Sequence, residues 1–262
     1  MIMKKLTNNL AILAKGFCIL LFIAITTPIM AQEYIARLAW VNRTELTTPV
    51  AGVVDVVHVE AGMKVNKGDH LVTLEPMKFE IQIKESQSQL NKRAALLDEA
   101  RRELDRAQGL YDRTLLSEHE LQVVKNAYIT SNADFDLAKA KLAQAKLDYE
   151  YSRLRAPFDA VVLKRLAEKG MVVMPQLQPQ TLVIIAHGHK MLAQAKINAS
   201  DLLQIQSGQV VDIIIRGEKY RGEVKYKGME PVIENGTEYN LDIEFSTNGK
   251  QFIAGQQARI VF

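Results

Sequence analysis

Two groups of side chains have types and spacings that could bind a metal ion. Met63, Met171 and Met174 carry thioethers, which suit copper(I), and they would cluster if the two repeats described below packed together. His187 and His189 place two imidazoles close together in the chain. Methionine also fills irregular cores, and neither histidine has a cysteine or carboxylate at ligand spacing. We therefore expect methionines that pack in the core, histidines on a solvent-facing connector, and no metal site.

The sequence contains no combination of residues that would support catalysis. It has neither an ordered serine, histidine and aspartate set, nor a phosphate-binding glycine loop, nor a paired-carboxylate motif. The one cysteine, Cys18, lies in the N-terminal segment, so the rest of the chain has no thiol or disulfide. We expect a protein that is not an enzyme and that binds no cofactor.

The balance of charge argues against a nucleic-acid partner. The full chain has 33 basic and 30 acidic residues. Residues 1–31 contain three lysines and no acidic residue, so residues 32–262 carry equal numbers of both. Because phosphate binding requires a surplus of cations on one face, we expect no nucleic-acid binding.

The N-terminal segment has the features of an export signal. Lys4, Lys5 and Lys15 supply positive charge, residues 17–25 are apolar, and Ala31 is a small residue suited to cleavage. The apolar stretch is too short to span the ~30 Å hydrocarbon core of a bilayer as a helix. We predict a signal peptide over residues 1–31 and export of the chain, with an uncleaved membrane anchor as the alternative.

The elements that would position these residues begin with an internal repeat. Segments that start at Pro49 and Pro157 are identical at nine of 26 ungapped positions, at an offset of 108 residues. The other identical pairs are Val53/Val161, Val54/Val162, Glu60/Glu168, Gly62/Gly170, Met63/Met171, Val65/Val173, Thr73/Thr181 and Leu74/Leu182. Each copy has short β-branched runs separated by turn residues, which is typical of strands. We predict two halves, residues 47–79 and 154–188, that pack face to face and close one small β-sandwich.

Residues 80–153, between the two halves, have a heptad pattern. Large residues recur every seven positions, first at Ile83, Leu90, Leu97, Leu104 and Tyr111, then at Leu121, Tyr128, Phe135, Leu142 and Tyr149. This repeat predicts an antiparallel pair of coiled helices. Ser117 and Glu120 form a capping-box pattern, so the second helix is expected to start at Ser117. Reflection about residue 116 would place the large residues of one helix opposite those of the other.

Residues 189–262 have the pattern of a small β-barrel. Strand-like runs cover residues 191–198, 210–216, 220–227, 237–245 and 257–262. Two Asn-Gly pairs mark tight turns, and residues 200–206 have the pattern of a short capped helix. The N-terminal segment 32–46 is expected to contribute one more strand to this barrel.

This arrangement resembles the periplasmic adaptor family, whose members are also called membrane fusion proteins. The resemblance implies an elongated α+β fold: a split lipoyl-like β-sandwich interrupted by a two-helix antiparallel coiled-coil hairpin, plus a small β-barrel. The family's hairpin tip often carries the pattern RxxxLxxxxxxS, which Arg106, Leu110 and Ser117 match without gaps. By resemblance, these residues would contact an outer-membrane channel. Each also has a purely structural explanation: a solvated arginine, hairpin packing and a helix N-cap.

The resemblance also implies partners. A periplasmic adaptor of a tripartite efflux or secretion system links an inner-membrane transporter to an outer-membrane channel protein, as a homo-oligomeric ring associated with the inner membrane. The first expectation is a transporter of the resistance-nodulation-division type. An ABC-type exporter is the alternative, because the sequence stops at Phe262, where many adaptors of the first type continue into a further domain.

A biotin or lipoyl carrier protein is another alternative. Met77-Lys78 resembles the Met-Lys pair at which biotin is attached in carrier domains. In carriers that lysine occupies an exposed hairpin turn, which is replaced here by the helical hairpin. We therefore expect Lys78 at a strand-to-helix junction, without a biotin. A structural protein that only bridges envelope layers would share the same fold.

Overall fold

The structure is a computed structural model that describes residues 32–176 and 179–262. The predicted signal peptide, with Cys18, lies outside the described residues. Two compact units are present. One consists of Ala39–Leu192 and Glu244–Ala254, and the other of Ala193–Ile243, Gly255–Phe262 and the described residues up to Leu38. Among the described helices, none is both long and apolar enough to cross a membrane.

The first of these units contains two four-stranded sheets. After β1 (Glu33–Trp40), the strands before the hairpin are β2 (Thr44–Leu46), β3 (Gly52–Val57), β4 (Lys64–Val65) and β5 (His70–Leu74). Those after it are β6 (Arg153–Arg155), β7 (Ala160–Arg165), β8 (Val172–Val173) and β9 (Val183–His187). The sheet orders are β2-β9-β7-β4 and β6-β5-β3-β8. The expected face-to-face packing of two separate copies is therefore wrong, because each sheet takes two strands from each side of the hairpin.

Backbone hydrogen bonds join the two copies at equivalent positions. They run from Val54 N–H to the Met171 carbonyl (2.8 Å), Val162 N–H to the Met63 carbonyl (2.9 Å), Gly62 N–H to the Val162 carbonyl (2.7 Å) and Gly170 N–H to the Val54 carbonyl (2.8 Å). Each bond thus has a counterpart made by the repeat partners of its residues. Gly62 and Gly170 have φ angles of 87° and 84°, which glycine adopts without a steric penalty. The sequence repeat therefore corresponds to a repeat of backbone geometry.

Repeat partners also share one hydrophobic core. The buried pairs are Val54 with Val162, Val65 with Val173, and Leu74 with Leu182. Complete burial of such a side chain contributes roughly 1.5–3 kcal/mol. Because the core draws residues from both copies, we infer that neither half of the sandwich is stable alone.

The hairpin between β5 and β6 consists of α1 (Met77–Tyr111) and α2 (Glu118–Tyr151). Every large residue of the predicted seam is buried or half-buried except Tyr111, next to the turn. Small seam residues, among them Ala107, Ala138 and Ala145, are buried as well. The heptad pattern is therefore confirmed, because the seam residues are the ones that the helices remove from solvent.

The register of the helices differs from the predicted one. Arg93 Nη1 lies 2.7 Å from Asp134 Oδ2, and the Tyr149 hydroxyl lies 3.4 Å from Glu80 Oε1. These antiparallel contacts are centred near Thr114 rather than residue 116. When the centre of an antiparallel pair moves by about two residues, the partner of each residue moves by about four, which is roughly one helical turn. We infer that large seam residues of one helix lie opposite the smaller seam residues of the other.

The remaining strands form a closed barrel with the order β1-β10-β13-β12-β11-β14. They are β10 (Lys190–Asn198), β11 (Val210–Ile215), β12 (Glu218–Pro231), β13 (Glu238–Ser246) and β14 (Gln257–Val261). The short helix α3 (Ala199–Gln204) follows β10, with Asn198 as its N-cap. Alternate residues fill the barrel interior, including Ile213, Leu241 and Ile260, none of which is exposed.

Candidate functional site

The turn at the end of α1 is a Schellman motif. Leu115 N–H donates to the Leu110 carbonyl (3.0 Å), and Thr114 N–H donates to the Tyr111 carbonyl (2.8 Å). Thr114 occupies the left-handed position of this motif, with a φ of 61°. Glycine is the usual residue there, because a side chain in this conformation approaches the backbone and a β-branched one is uncommon. The chain therefore holds a strained conformation at the tip, and strain of this kind concentrates at functional sites.

The start of α2 is a capping box, as predicted. The Ser117 hydroxyl oxygen accepts from the Glu120 N–H (3.3 Å), and the Glu120 carboxylate accepts from the Ser117 N–H (2.9 Å) and hydroxyl (2.6 Å). The hydroxyl donor, followed by the backbone donor, lowers the pKa of Glu120. The ionised Glu120 carboxylate therefore adds stability to the folded protein. This added stability is present above the pKa of the carboxyl in the unfolded chain and is lost as the pH falls through the lowered pKa of the folded state.

Ser117→Ala is expected to lower the free energy of unfolding by about 1 kcal/mol, because it removes the N-cap acceptor. Urea unfolding measures the loss. Ser88→Ala is the matched control, since Ser88 is an exposed serine inside α1 whose hydroxyl donates to the Lys84 carbonyl. If the two variants were equally stable, the cap would make no contribution beyond that of an ordinary helical serine.

Arg106 and Leu110 lie one turn apart on α1, close to the tip. The Arg106 side chain is 65% exposed, and its Nη1 forms an ion pair with Glu103 Oε2 (2.8 Å). Leu110 is 36% exposed. The structure therefore brings both residues to solvent on one helix face, since residues at this spacing are neighbours on a helix.

Three exposed apolar residues near the tip were not identified from the sequence. Leu115 is 70% exposed, and Tyr111 and Val123 are also exposed. Tyr111 had been assigned to the seam, and Leu115 lies in the turn, where no periodic pattern applies. The sequence did contain one sign of this exposure, the two consecutive leucines at positions 115 and 116 in the predicted turn. Exposed apolar surface of this kind is found at protein interaction sites when it forms a contiguous patch.

A groove between the helices lies beside the tip. It has a volume of about 380 Å³ and is lined by Leu104, Asp105, Gln108, Tyr111, Glu118, Leu121, Gln122 and Lys125. Arg106 and Leu110 do not line it. The groove and the predicted contact residues are therefore separate features of the tip.

The residues considered for metal binding lie in ordinary environments. Met63 and Met174 are exposed, whereas Met171 packs against the sandwich core. The expectation of core packing is therefore wrong for two of the three methionines. The His187 ring lies 4.5 Å from that of Phe158. Among the described residues, no group of three or more His, Cys, Asp or Glu side chains is arranged to hold a metal ion.

Lys78 lies in the first turn of α1, at the strand-to-helix junction where it was expected. Its Nζ donates to the Ala51 carbonyl (3.3 Å) and lies over the Phe79 ring, 5.7 Å from the centroid. It does not occupy the hairpin turn that a carrier lysine requires. The structure therefore gives no support to a carrier protein.

The chain is similar to known proteins in sequence. Residues 42–186, more than half of the chain, match the family model described as CzcB-like, barrel-sandwich hybrid domain. The multidrug resistance protein MdtA of Yersinia enterocolitica is 30% identical over 169 residues, which cover 64% of this chain and 38% of that protein. The matched region thus spans less than half the length of this relative.

Solved structures share the fold. The membrane fusion protein Spr0693 of Streptococcus pneumoniae R6 has a TM-score of 0.70 at 15% identity, and the match covers 88% of this chain and 98% of that one. A MacA-MexA chimera that contains the Pseudomonas aeruginosa MexA α-hairpin domain has a TM-score of 0.67 at 20% identity, covering 88% and 80%. Together with the observed sandwich, hairpin and barrel, these likenesses confirm the predicted fold class.

Proposed function

This chain belongs to the CzcB-like periplasmic adaptor family of membrane fusion proteins, and from that premise we propose that it couples an inner-membrane transporter to an outer-membrane channel in a tripartite export system. Members of the family are adaptors and not enzymes. The adaptor would work by geometry: it seals the export path and transmits movement, while the transporter supplies the energy.

The observation that carries this proposal is the hairpin tip. Helices of 35 and 34 residues give the hairpin a reach of roughly 50 Å at 1.5 Å per residue. Its end presents a turn with Thr114 in the left-handed conformation, and Arg106, Leu110 and Leu115 are exposed near it. Exposed apolar surface does not stabilise a solvated hairpin, whereas a docking surface would bury it.

The proposed contact at the channel divides into a polar and an apolar part. Arg106 has a planar fork of donors that suits carboxylates and carbonyls. Its exposed ion pair with Glu103 is worth only about 0–1 kcal/mol, so the guanidinium can exchange that partner for one on the channel. Leu110 and Leu115 would lose their exposed apolar surface on docking. Ser117 would act mainly through the cap that fixes the turn.

The finer assignments are proposals as well. We propose that several adaptor copies form a ring on the periplasmic side of the inner membrane. We propose a transporter of the resistance-nodulation-division type as the inner-membrane partner, and an ABC-type exporter as the alternative. The similar Yersinia protein is a multidrug resistance protein, which supports an efflux role for this chain. Genes encoding one or the other transporter next to this one would discriminate between the two classes.

Cross-linking in cells tests the channel contact directly. A photo-crosslinking amino acid at Asp112, the C-cap of α1 at the tip, is expected to capture an outer-membrane channel protein, identified by mass spectrometry. The same group at Lys139, exposed in the middle of α2, is the control and is expected to capture a second adaptor copy. Absence of any outer-membrane protein from the Asp112 adducts would contradict the proposal.

A further inference from the structure

The two helices of the hairpin are tied together at their base by the ladder between β5 and β6. β5 ends just before α1 begins, and β6 follows α2. His70 is paired with Arg155 in this ladder, and Thr73 is paired with Arg153. Any change in the stability of this short ladder therefore acts directly on the base of the hairpin.

A second histidine lies beside this ladder. The His58 and His70 ring centroids are 5.9 Å apart, with a tilt of 50° between the planes. His58 Nε2 lies 2.9 Å from Thr73 Oγ1, while the buried Nδ1 of His70 has no hydrogen-bond partner among the described residues. The two imidazoles thus share the outer side of one sheet with the two arginines of β6.

Arg153 extends the same group of residues to both helices. Its guanidinium stacks over the Tyr149 ring, 4.2 Å from the centroid, and donates to the Tyr149 hydroxyl. That hydroxyl lies 3.4 Å from Glu80 Oε1 on α1. Arg153 therefore connects β6 with α2 and, through Tyr149, with α1.

We propose that His70, whose ring packs beside that of His58, makes the base of the hairpin sensitive to pH. Protonation of His70 places a new positive charge beside Arg155, its partner in the ladder, and near Arg153, and like charges repel. The repulsion weakens the β5–β6 ladder and loosens the attachment of the hairpin to the sandwich. Histidine is suited to this role because its charge changes between about pH 5 and 8.

The electrostatic surroundings of His70 agree with this geometry. Burial is the main cause that lowers the pKa of His70, and the charges of Arg155, His58 and Arg153 lower it further. Glu150 of α2 acts in the opposite direction. Because the folded pKa lies below the unfolded one, the unfolded chain binds more protons at intermediate pH. The stability that the folded protein gains from the neutral His70 ring is therefore fully present above the pKa of this residue in the unfolded chain. It is lost as the pH falls through the lower pKa of the folded state.

Amide hydrogen exchange on the purified protein tests the proposal. Between about pH 7.5 and pH 5.5, after correction for intrinsic exchange, opening of residues 70–73 and 153–155 is expected to increase roughly fivefold, the effect of about one like charge near the surface. His70→Gln should remove most of this increase. His119→Gln, at an exposed histidine in the first turn of α2, is the matched control and should retain it.

Two further measurements keep the test decisive. Exchange in β11 and β12 of the barrel should not change in parallel, which separates loosening of the hairpin base from global unfolding. In the unsubstituted protein, NMR titration should give a pKa for His70 below the ~6.5 of an unperturbed histidine. Unchanged opening of the ladder at acid pH, acid sensitivity that persists in His70→Gln, or a His70 pKa at or above the ~6.5 of an unperturbed histidine would each overturn the proposal. None of these readouts involves the channel.

Discussion

Arg106→Asp is expected to abolish export in cells without unfolding the protein. The side chain is largely exposed, so the folded state loses only its ion pair with Glu103 and gains a like-charge pair one turn apart, a change of a few tenths of a kcal/mol. On a channel, by contrast, removal of one partner from a buried charged hydrogen bond costs about 2–5 kcal/mol, which is roughly a 30-fold or greater loss of affinity. Susceptibility to exported compounds, in cells that contain the transporter and channel, measures the loss.

The control for this variant is one turn away. Arg102 is exposed to a similar degree and pairs with Asp98 and Glu99, but it lies outside the tip pattern, so Arg102→Asp should retain export. Leu110→Ser should reduce export by removing the apolar half of the contact. Equal loss in Arg102→Asp and Arg106→Asp would indicate a general effect of charge on the hairpin. Full export in both Arg106→Asp and Leu110→Ser would show that the tip assignment is wrong.

The features that the sequence predicted best are those encoded locally. The heptads identify the buried seam because helical periodicity repeats along one segment, and the Ser117–Glu120 pair marks the start of α2 because both partners lie within one turn. The barrel strands were located within a few residues by the same kind of local pattern. Arg106 and Leu110 were placed near the tip by a motif, and their role there stays a prediction.

The features that the sequence did not predict depend on contacts between distant segments. The repeat shows that two segments are alike, but it does not say that β3 pairs with β8 while β4 pairs with β7. The turn of the hairpin was misplaced because Thr114 occupies a position where glycine would have marked it. The group formed by His58, His70 and Arg153 was missed because only the β ladders bring these residues together.

Leu182→Ala and Leu74→Ala are expected to destabilise the whole sandwich, each by about 2–5 kcal/mol. Both side chains are buried, at 0% and 1% exposure, and they are repeat partners in one core. Removal of three carbons leaves a cavity that the surrounding strands fill only in part. A loss of this size is a large fraction of the ~5–15 kcal/mol that stabilises a typical domain.

Because each sheet contains strands from both copies, a cavity in one copy should also affect the other. Leu182 precedes β9 in the second copy, yet β3 and β5 of the first copy pack on the same core, so Leu182→Ala should increase amide exchange in both copies alike. Leu166→Ala is the matched control, since Leu166 follows β7 with its side chain exposed, and its effect should stay within about 0.5 kcal/mol. If Leu182→Ala left β3 and β5 protected as in the unsubstituted protein, the halves would be independent folding units. The shared core, which holds both ends of the hairpin in place, requires the opposite result.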